Sequence, residues 1–240
     1  MRYFRQLAPI KAMTFDLDDT LYDNRPIIRQ VEMQMVKWLH THHPVSATKP
    51  LSWWHELKLR LAREDSWLTN DVTLWRYTQI EQGLLILGYQ PEEAKQAAKD
   101  AIAEVLRLRS DFTVPEQAHK VMAELSKRMP LVAITNGNVD VEKIGLSQYF
   151  QLVLKAGPDG FAKPHGQMFD KAVSFLDIPA ENVLHVGDHL ISDVQGAKLS
   201  GLQACWFNDQ GMDIYQCKKA RLLPDVEVNR LHDLLVLSEK

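Results

Sequence analysis

The stretch FDLDDT, residues 15–20, places three carboxylates at the end of the apolar segment AMTFDL, residues 12–17. A short apolar run of this kind predicts a buried strand. Like charges this close together repel, and burying an unpaired carboxylate costs several kcal/mol. We therefore expect a positively charged partner close to Asp16, Asp18 and Asp19.

The chain after this strand predicts a helical module. From about residue 23 to residue 110, apolar residues recur at helical spacing in four successive segments. These segments are residues 26–40, 51–65, 71–88 and 91–109. We therefore expect an all-helical module at residues 22–110, inserted directly after the first strand.

The remainder of the chain predicts a parallel sheet. Short apolar strands such as LVAIT, residues 131–135, alternate with helix-like segments such as VEKIGLSQYF, residues 141–150. This alternation is typical of βαβ units. The predicted fold class is α/β, with a Rossmann-like parallel sheet core at residues 1–21 and 111–240 and the helical module as an inserted cap. We expect the cap to lie over the carboxyl ends of the strands, where open α/β sheets bind ligands.

The composition argues against several classes of protein. The chain has 240 residues, of which 45% are hydrophobic and 25% are charged, which is typical of a globular protein with a sizeable core. A net charge of −3 without a basic run argues against nucleic-acid binding. We find no signal peptide and no run of about 18 apolar residues, so we expect no membrane span. Cys205 and Cys217 lack metal-ligand spacing, so the sequence predicts a reduced, cytoplasmic protein.

Polar and charged side chains follow the predicted strands at the points where the strands end. Asp16 ends the first strand, Thr135 and Asn136 end the second, and Asp188 follows the strand VLHVG. Lys163 lies in the loop GFAKPHG. Because the carboxyl ends of parallel strands share one edge of the sheet, we expect these residues to surround one pocket.

These residue types suit phosphoryl transfer. A carboxylate such as Asp16 can attack phosphorus and form an aspartyl phosphate, which divides one difficult displacement into two. Charge repulsion opposes the attack by about 4 kcal/mol per pair of unit charges at ~4 Å and an effective dielectric constant of ~20. A Mg²⁺ ion offsets this repulsion, and Asp16 and Asp188 are its natural side-chain ligands.

The other residues have complementary chemistry. Asp18 can donate a proton to the leaving alcohol and later take one from water. Thr135 and Asn136 can bind phosphoryl oxygens, and Lys163 can neutralise charge on the phosphoryl group and on Asp16. The sequence therefore predicts a small-molecule phosphate monoester as the substrate.

The pattern resembles the haloacid dehalogenase superfamily. The motifs that carry the resemblance occur in the family's order: DLDDT (16–20), the strand that ends in TN (135–136), Lys163 in AKP, and GDHLISD (187–193).

The resemblance implies roles for four acidic residues. Asp16 would be the nucleophile and Asp18 the acid and base, and the backbone carbonyl of Asp18 would join Asp16 and Asp188 as ligands of Mg²⁺. Asp193 would hold metal-bound water or the lysine. Many family members carry Asp, Ser or Asn where this sequence has His189, a departure that bears on metal affinity and its pH dependence.

Longer stretches resemble one bacterial branch of the family. They are DNRP, DVTLWRYTQIEQ, PLVAITNGN and LHVGDHLISDVQGA. Enzymes of that branch act on flavin mononucleotide and on 5-amino-6-(5-phospho-D-ribitylamino)uracil, a riboflavin precursor. The resemblance thus implies a ring-bearing substrate. Trp75 and Arg76 are neighbours on a helix-like stretch of the cap, and we expect one of them to contact that ring.

The same fold supports other functions. A haloacid dehalogenase also uses an Asp nucleophile, a phosphomutase shares the site, and a binding protein could retain a disabled hydrolase fold. Asp18 and Asp188 favour phosphoryl transfer over dehalogenation, because carbon displacement needs neither a metal nor an acid at that position. His185 lies in an apolar strand and is interpreted as a core histidine rather than a ligand.

Overall fold

The fold is seen in a computed structural model that describes residues 1–218 and 220–238. The strands within these residues are β1 (Arg2–Tyr3), β2 (Ala12–Phe15), β3 (Leu131–Thr135), β4 (Leu152–Lys155), β5 (Val183–Gly187), β6 (Gln203–Phe207) and β7 (Val226–Val228). They form one sheet in the order β1-β7-β6-β5-β2-β3-β4. Only the pair β1 and β7 is antiparallel among these described strands. The predicted α/β class with a parallel sheet core is confirmed.

The centre of the sheet positions the residues of interest. Strands β2, β3 and β5 are adjacent, and every residue in them is buried. Continuous apolar runs are typical of parallel strands that are covered on both faces. Thr14 of β2 pairs with Val132 of β3 and with His185 of β5. The carboxyl ends of the three strands therefore come out at the same edge of the sheet.

Helices occur in both of the compact units into which the chain divides. In the described residues they are α1 (Asn24–His42), α2 (Leu51–Glu64), α3 (Val72–Ile86), α4 (Pro91–Arg109), α5 (Glu116–Arg128), α6 (Gln167–Leu176), α7 (Gly196–Leu199) and α8 (Leu234–Leu237). The α/β unit contains Met1–Asn24, Thr113–Gly137 and the chain from Val141 onward. The helical unit contains Arg25–Phe112 with Asn138–Asp140. None of the helices in the described part of the chain is long and apolar enough to cross a membrane.

Small residues allow close packing inside the helical unit. Its core includes four fully or almost fully buried alanines of α4, namely Ala94, Ala97, Ala98 and Ala101. On α3, a Cβ atom at Gly83 would lie only 2.1 Å from a ring carbon of Trp54. Asp71 caps α3, because its carboxylate accepts hydrogen bonds from the N–H groups of Thr73 and Leu74. Each of the four predicted helical segments is helical in the structure.

The segment 141–150 differs from the prediction of a helix. It forms turns that end in a single 3₁₀ turn at Ser147–Tyr149. Gly145 has a φ of 73°, a left-handed conformation that a right-handed helix does not contain. The N–H group of Leu146 then bonds to the carbonyl of Val141 at 2.9 Å, which closes the turn. The apolar spacing of this segment reflects burial rather than helical periodicity.

Truncation of Leu84 tests the packing of the helical unit. Leu84 of α3 is 0% exposed, so Leu84→Ala leaves a cavity and should lower the free energy of unfolding by about 2–5 kcal/mol. Leu74 lies on the same helix and is 38% exposed, so Leu74→Ala is the matched control and should cost well under half as much. Urea unfolding followed by tryptophan fluorescence measures both. Equal losses would contradict the packing described.

Candidate active site

Lys163 lies at the centre of a buried hydrogen-bond network in the α/β unit. Its Nζ lies 2.7 Å from Asp16 Oδ1, 2.6 Å from Asp193 Oδ1 and 2.6 Å from the carbonyl oxygen of Ile134. An ammonium group has three hydrogens, so these three acceptors use all of them. Because the side chain is buried, the three contacts fix the position of its charge.

Asn136 holds the loop that carries Lys163. Its Nδ2 donates to the carbonyl of Lys163 at 3.0 Å, and its Oδ1 accepts from the N–H of Lys163 at 2.8 Å. The amide of Asn136 therefore serves the main chain in this structure, and its binding to phosphoryl oxygens stays a prediction. Thr135 Oγ1 accepts from the N–H of Gly137 at 2.9 Å and retains a hydroxyl proton that can be donated to an anion.

The three carboxylates of FDLDDT have different partners. Asp16 belongs to the lysine network, whereas Asp18 Oδ1 accepts from the Tyr22 hydroxyl at 2.6 Å. Asp19 Oδ1 accepts from the N–H of Asn24 at 2.8 Å, at the start of α1. Asp19 also has a φ of 59°, a left-handed conformation that Asp adopts more readily than most residues. The chain thus turns directly after β2 and separates charges that adjoin in sequence.

Two residues beside Asp18 are not evident from the sequence pattern. Tyr22 is buried and donates to its carboxylate, but the local pattern does not distinguish Tyr22 from an ordinary core aromatic residue. A Cβ atom at Gly137 would lie 2.4 Å from Asp18 Oδ2, so glycine leaves room for that carboxylate. The dipeptide Asn136-Gly137 is the available signal, although it is equally typical of a turn.

Three carboxylates converge beside Lys163. One oxygen each from Asp16, Asp188 and Asp193 lies within 4.8 Å of the other two, in a group that could hold a metal ion. Asp193 Oδ2 also accepts from the N–H of His189 at 3.0 Å. The main-chain carbonyl of Asp188 accepts from Trp206 Nε1 at 2.7 Å, which anchors the loop after β5.

Asp193 and Lys163 form a buried ion pair. Burial alone would raise the pKa of Asp193, but Lys163 and His185 hold it below its usual range. Burial alone would lower the pKa of Lys163, but Asp16 and Asp193 hold it above its usual value. Both groups are therefore ionised at neutral pH.

Asp16 and Asp188 lack sufficient positive charge nearby. Burial raises the pKa of Asp16 well above its usual value, and the repulsion by Asp193 and Asp18 adds to this against the attraction of Lys163. Burial, followed by repulsion from Asp193, raises the pKa of Asp188 to about 7. One ammonium group cannot neutralise three carboxylates. Carboxylate oxygens are the ligands of hard divalent cations, so the residues present fit a metal ion of that kind.

His189 has a local structural contact. Its Nδ1 accepts from the N–H groups of Ile191 at 3.4 Å and Ser192 at 3.1 Å. These N–H groups lie in the first turn of the helical segment Leu190–Gln195, where a side-chain acceptor is expected to cap them. The ring of His189 thus stabilises the turn that carries Asp193.

Trp75 and Arg76 have different environments in the helical unit. Trp75 Nε1 donates to the carbonyl of Lys58 at 2.9 Å, and its ring packs against the core of that unit. Arg76 forms an ion pair with Glu32 and lines a groove of about 610 Å³ between α1, α2 and α3. Neighbouring residues on a helix point about 100° apart, and of these two residues Arg76 lines the groove and Trp75 does not.

Comparison with known proteins decides the family. The haloacid dehalogenase-like hydrolase family matches residues 10–201 of the chain. The chain belongs to the haloacid dehalogenase-like hydrolases. This confirms the family that the motifs predicted.

Relatives within this hydrolase family include phosphatases. The chain is 42% identical over 237 residues to the 5-amino-6-(5-phospho-D-ribitylamino)uracil phosphatase YigB of Escherichia coli strain K12, covering 99% of this chain and 100% of that protein. It is 26% identical to the phosphoserine phosphatase of Thermus thermophilus, covering 95% and 98%. A crystal structure of 2-haloacid dehalogenase from Pseudomonas syringae pv. Tomato DC3000 matches with a TM-score of 0.89 at 33% identity, covering 95% and 97%. The chain is a phosphoric monoester hydrolase of this family.

Gly187 leaves the space that Asp193 occupies. A Cβ atom at Gly187 would lie 2.3 Å from Asp193 Cγ, so Gly187→Ala should displace the carboxylate from Lys163. We expect a loss of about 1–3 kcal/mol in unfolding free energy and loss of most turnover of an aryl phosphate. Gly166→Ala is the control, because its Cβ would first meet the Ser200 hydroxyl oxygen at 3.2 Å. Wild-type stability and turnover in Gly187→Ala would contradict the geometry described.

Proposed function

We propose that the chain is a Mg²⁺-dependent phosphatase that works through an aspartyl phosphate on Asp16. The observation that carries this proposal is the buried ammonium of Lys163, held 2.7 Å from Asp16 within a cluster of carboxylates. A carboxylate nucleophile beside a fixed cation suits attack on an anionic phosphoryl group.

The acidic residues are suited to hold the metal. The carboxylates of Asp16 and Asp188, with the main-chain carbonyl of Asp18, would bind Mg²⁺ and Asp193 would remain outside them, bonded to Lys163. When bound, Mg²⁺ supplies the positive charge that keeps the carboxylates ionised and reduces their repulsion of the phosphate.

The protein residues carry the proton transfers. As an oxygen of Asp16 bonds to phosphorus, the bond from phosphorus to the ester oxygen breaks, and Asp18 gives its proton to the departing alkoxide. Asp18, now ionised, takes a proton from water as that water attacks the phosphoryl group. Release of inorganic phosphate restores the Asp16 carboxylate. Lys163 and Thr135 stabilise the phosphoryl oxygens. Asn136 either positions Lys163 or binds a phosphoryl oxygen as well.

A ring-bearing metabolite is the proposed substrate. The relative YigB, 42% identical over nearly the whole chain, is named for 5-amino-6-(5-phospho-D-ribitylamino)uracil, which supports that compound and a role in riboflavin metabolism. Flavin mononucleotide is the alternative substrate that the resemblance of the sequence motifs implies. Cys205 and Cys217 are free thiols, which is typical of the reducing cytoplasm and supports that location. A panel of phosphorylated metabolites compared by kcat/KM tests the substrate.

Dehalogenation is the second candidate, because a structure named as a 2-haloacid dehalogenase matches with a TM-score of 0.89. Asp18 and Asp188 favour the phosphatase, since displacement at carbon requires neither residue. Chloride release from 2-chloropropionate, measured beside phosphate release from an aryl phosphate, distinguishes the two. Chloride release without phosphate release would refute the phosphatase proposal in favour of dehalogenation.

Asp16→Asn tests the nucleophile. We expect the variant to fold and to lose all but a trace of turnover, because an amide cannot form the acyl phosphate. Phosphate release and circular dichroism measure the two properties. Asp111→Asn changes an exposed carboxylate in the helical unit and should keep wild-type turnover. Substantial activity in Asp16→Asn would show that another residue attacks phosphorus.

Arg76→Ala and Trp75→Ala test how the cap selects its substrate. We expect Arg76→Ala to lower kcat/KM for the ring-bearing phosphate by about tenfold, roughly 1.4 kcal/mol, since its guanidinium can stack on or bond to the ring. A small aryl phosphate should be affected much less. Trp75→Ala removes packing in the helical core and should mainly lower stability. Equal loss for both substrates, or no loss, would place the specificity determinant elsewhere.

A further inference from the structure

Two polar side chains face each other in the buried centre of the sheet. Thr14 of β2 and His185 of β5 are paired in register and are 0% and 1% exposed. Thr14 Oγ1 lies 2.8 Å from His185 Nδ1. Residues paired across adjacent strands point to the same face, as do residues two apart along a strand. His185 therefore lies on the face of the sheet that Gly187 opens to Asp193.

The second ring nitrogen of His185 reaches the lysine network. Its Nε2 lies 3.2 Å from Asp193 Oδ1, the same oxygen that Lys163 Nζ approaches at 2.6 Å. Lys163 in turn contacts Asp16 at 2.7 Å. A continuous series of hydrogen bonds thus connects Thr14, through His185, Asp193 and Lys163, to Asp16.

The hydrogen-bond partners of His185 determine which ring nitrogen carries the proton. Asp193 is ionised and can only accept hydrogen bonds, so Nε2 of His185 must donate to it. Burial lowers the pKa of His185 to about 4, and the nearby charge of Lys163 also lowers it. A neutral ring with its proton on Nε2 has a lone pair on Nδ1, which accepts the hydroxyl proton of Thr14.

The ring is also held by packing. Phe169 approaches it edge to face, with ring centres 4.9 Å apart and an angle of 87° between the ring planes. Phe169 is fully buried. Hydrogen bonds at both nitrogens and an aromatic contact on the ring thus fix its orientation.

We propose that His185 is a positioning residue that orients the Asp193 carboxylate by donating from Nε2, with Thr14 setting the tautomer, and thereby places the Lys163 ammonium beside Asp16. Asp193 Oδ2 is bound separately by the N–H of His189 at 3.0 Å, so each carboxylate oxygen has its own donors. Without the donor from His185, Lys163 is the remaining donor to Oδ1, so this oxygen and the ammonium group can shift together away from their present position beside Asp16. This role rests on the proposed function of Lys163 in phosphoryl transfer.

Substitutions at His185 separate positioning from packing. His185→Leu removes both hydrogen bonds, and we expect kcat for an aryl phosphate to fall by about tenfold, the lower range for loss of an outer hydrogen-bond partner. KM should change by less than about twofold, because the residue does not touch the substrate. His185→Gln can donate to Asp193 and accept from Thr14, so it should recover most of kcat. Met122→Ala is the packing control, because Met122 of α5 is fully buried and lies outside the series of hydrogen bonds; it should lower thermal stability while leaving kcat near the wild-type value.

The tautomer provides a readout that is independent of activity. Nitrogen NMR of the histidine-labelled wild-type protein at pH 7 should show His185 neutral, with its proton on Nε2. A charged ring, a proton on Nδ1, or wild-type kcat in folded His185→Leu would overturn the proposal. If His185→Leu does not fold, Thr14→Val takes its place, and an unchanged tautomer together with unchanged kcat would overturn it. Absence of phosphatase activity in the wild-type protein would instead refute the proposed function, whatever the tautomer.

Discussion

The structure of the site depends on one buried ammonium group. Lys163 donates to Asp16 after β2, to the carbonyl of Ile134 on β3 and to Asp193 after β5. The order β5-β2-β3 in the sheet makes these contacts possible, since it brings three strand ends to one edge. Removing one member of such a group would leave a buried charge unpaired, at a cost of roughly 3–5 kcal/mol. The lysine therefore connects three strand ends of the sheet at the candidate active site.

The network is still short of positive charge. Lys163 stabilises Asp193 as an ion, yet burial leaves the pKa of Asp188 at about 7 and that of Asp16 well above its usual value. The carboxylates of the stretch FDLDDT are thus stabilised in two different ways. Asp19 accepts a hydrogen bond locally at the start of α1, whereas Asp16 is buried beside the lysine in a carboxylate cluster that could hold a metal ion.

The sequence predicts the parallel sheet and the helical segments, because these depend on spacing along the chain. It predicts the family through the resemblance of its motifs. It does not predict the turn at Gly145, since burial gave that segment a helical pattern without a helix. It also does not predict the hydrogen bonds between the amide of Asn136 and the main chain of Lys163, 27 residues further along the chain, and the binding of Asn136 to phosphoryl oxygens stays a prediction. Contacts such as these depend on the meeting of distant loops, which local patterns do not encode. The polar residue His185 in an apolar strand was visible in the sequence, but its partners were not.

Calorimetric titration of Mg²⁺ into the metal-free protein tests the central claim, that the carboxylate cluster binds a divalent cation. In buffers of different ionisation enthalpy at pH 6, 7 and 8, the number of protons released can be measured directly. A carboxyl with a pKa raised to about 7 is mostly protonated at pH 6 and mostly ionised at pH 8. We therefore expect binding to release more protons at pH 6 than at pH 8, and to tighten as the pH rises. Absence of binding, or binding without proton release at every pH, would contradict this account.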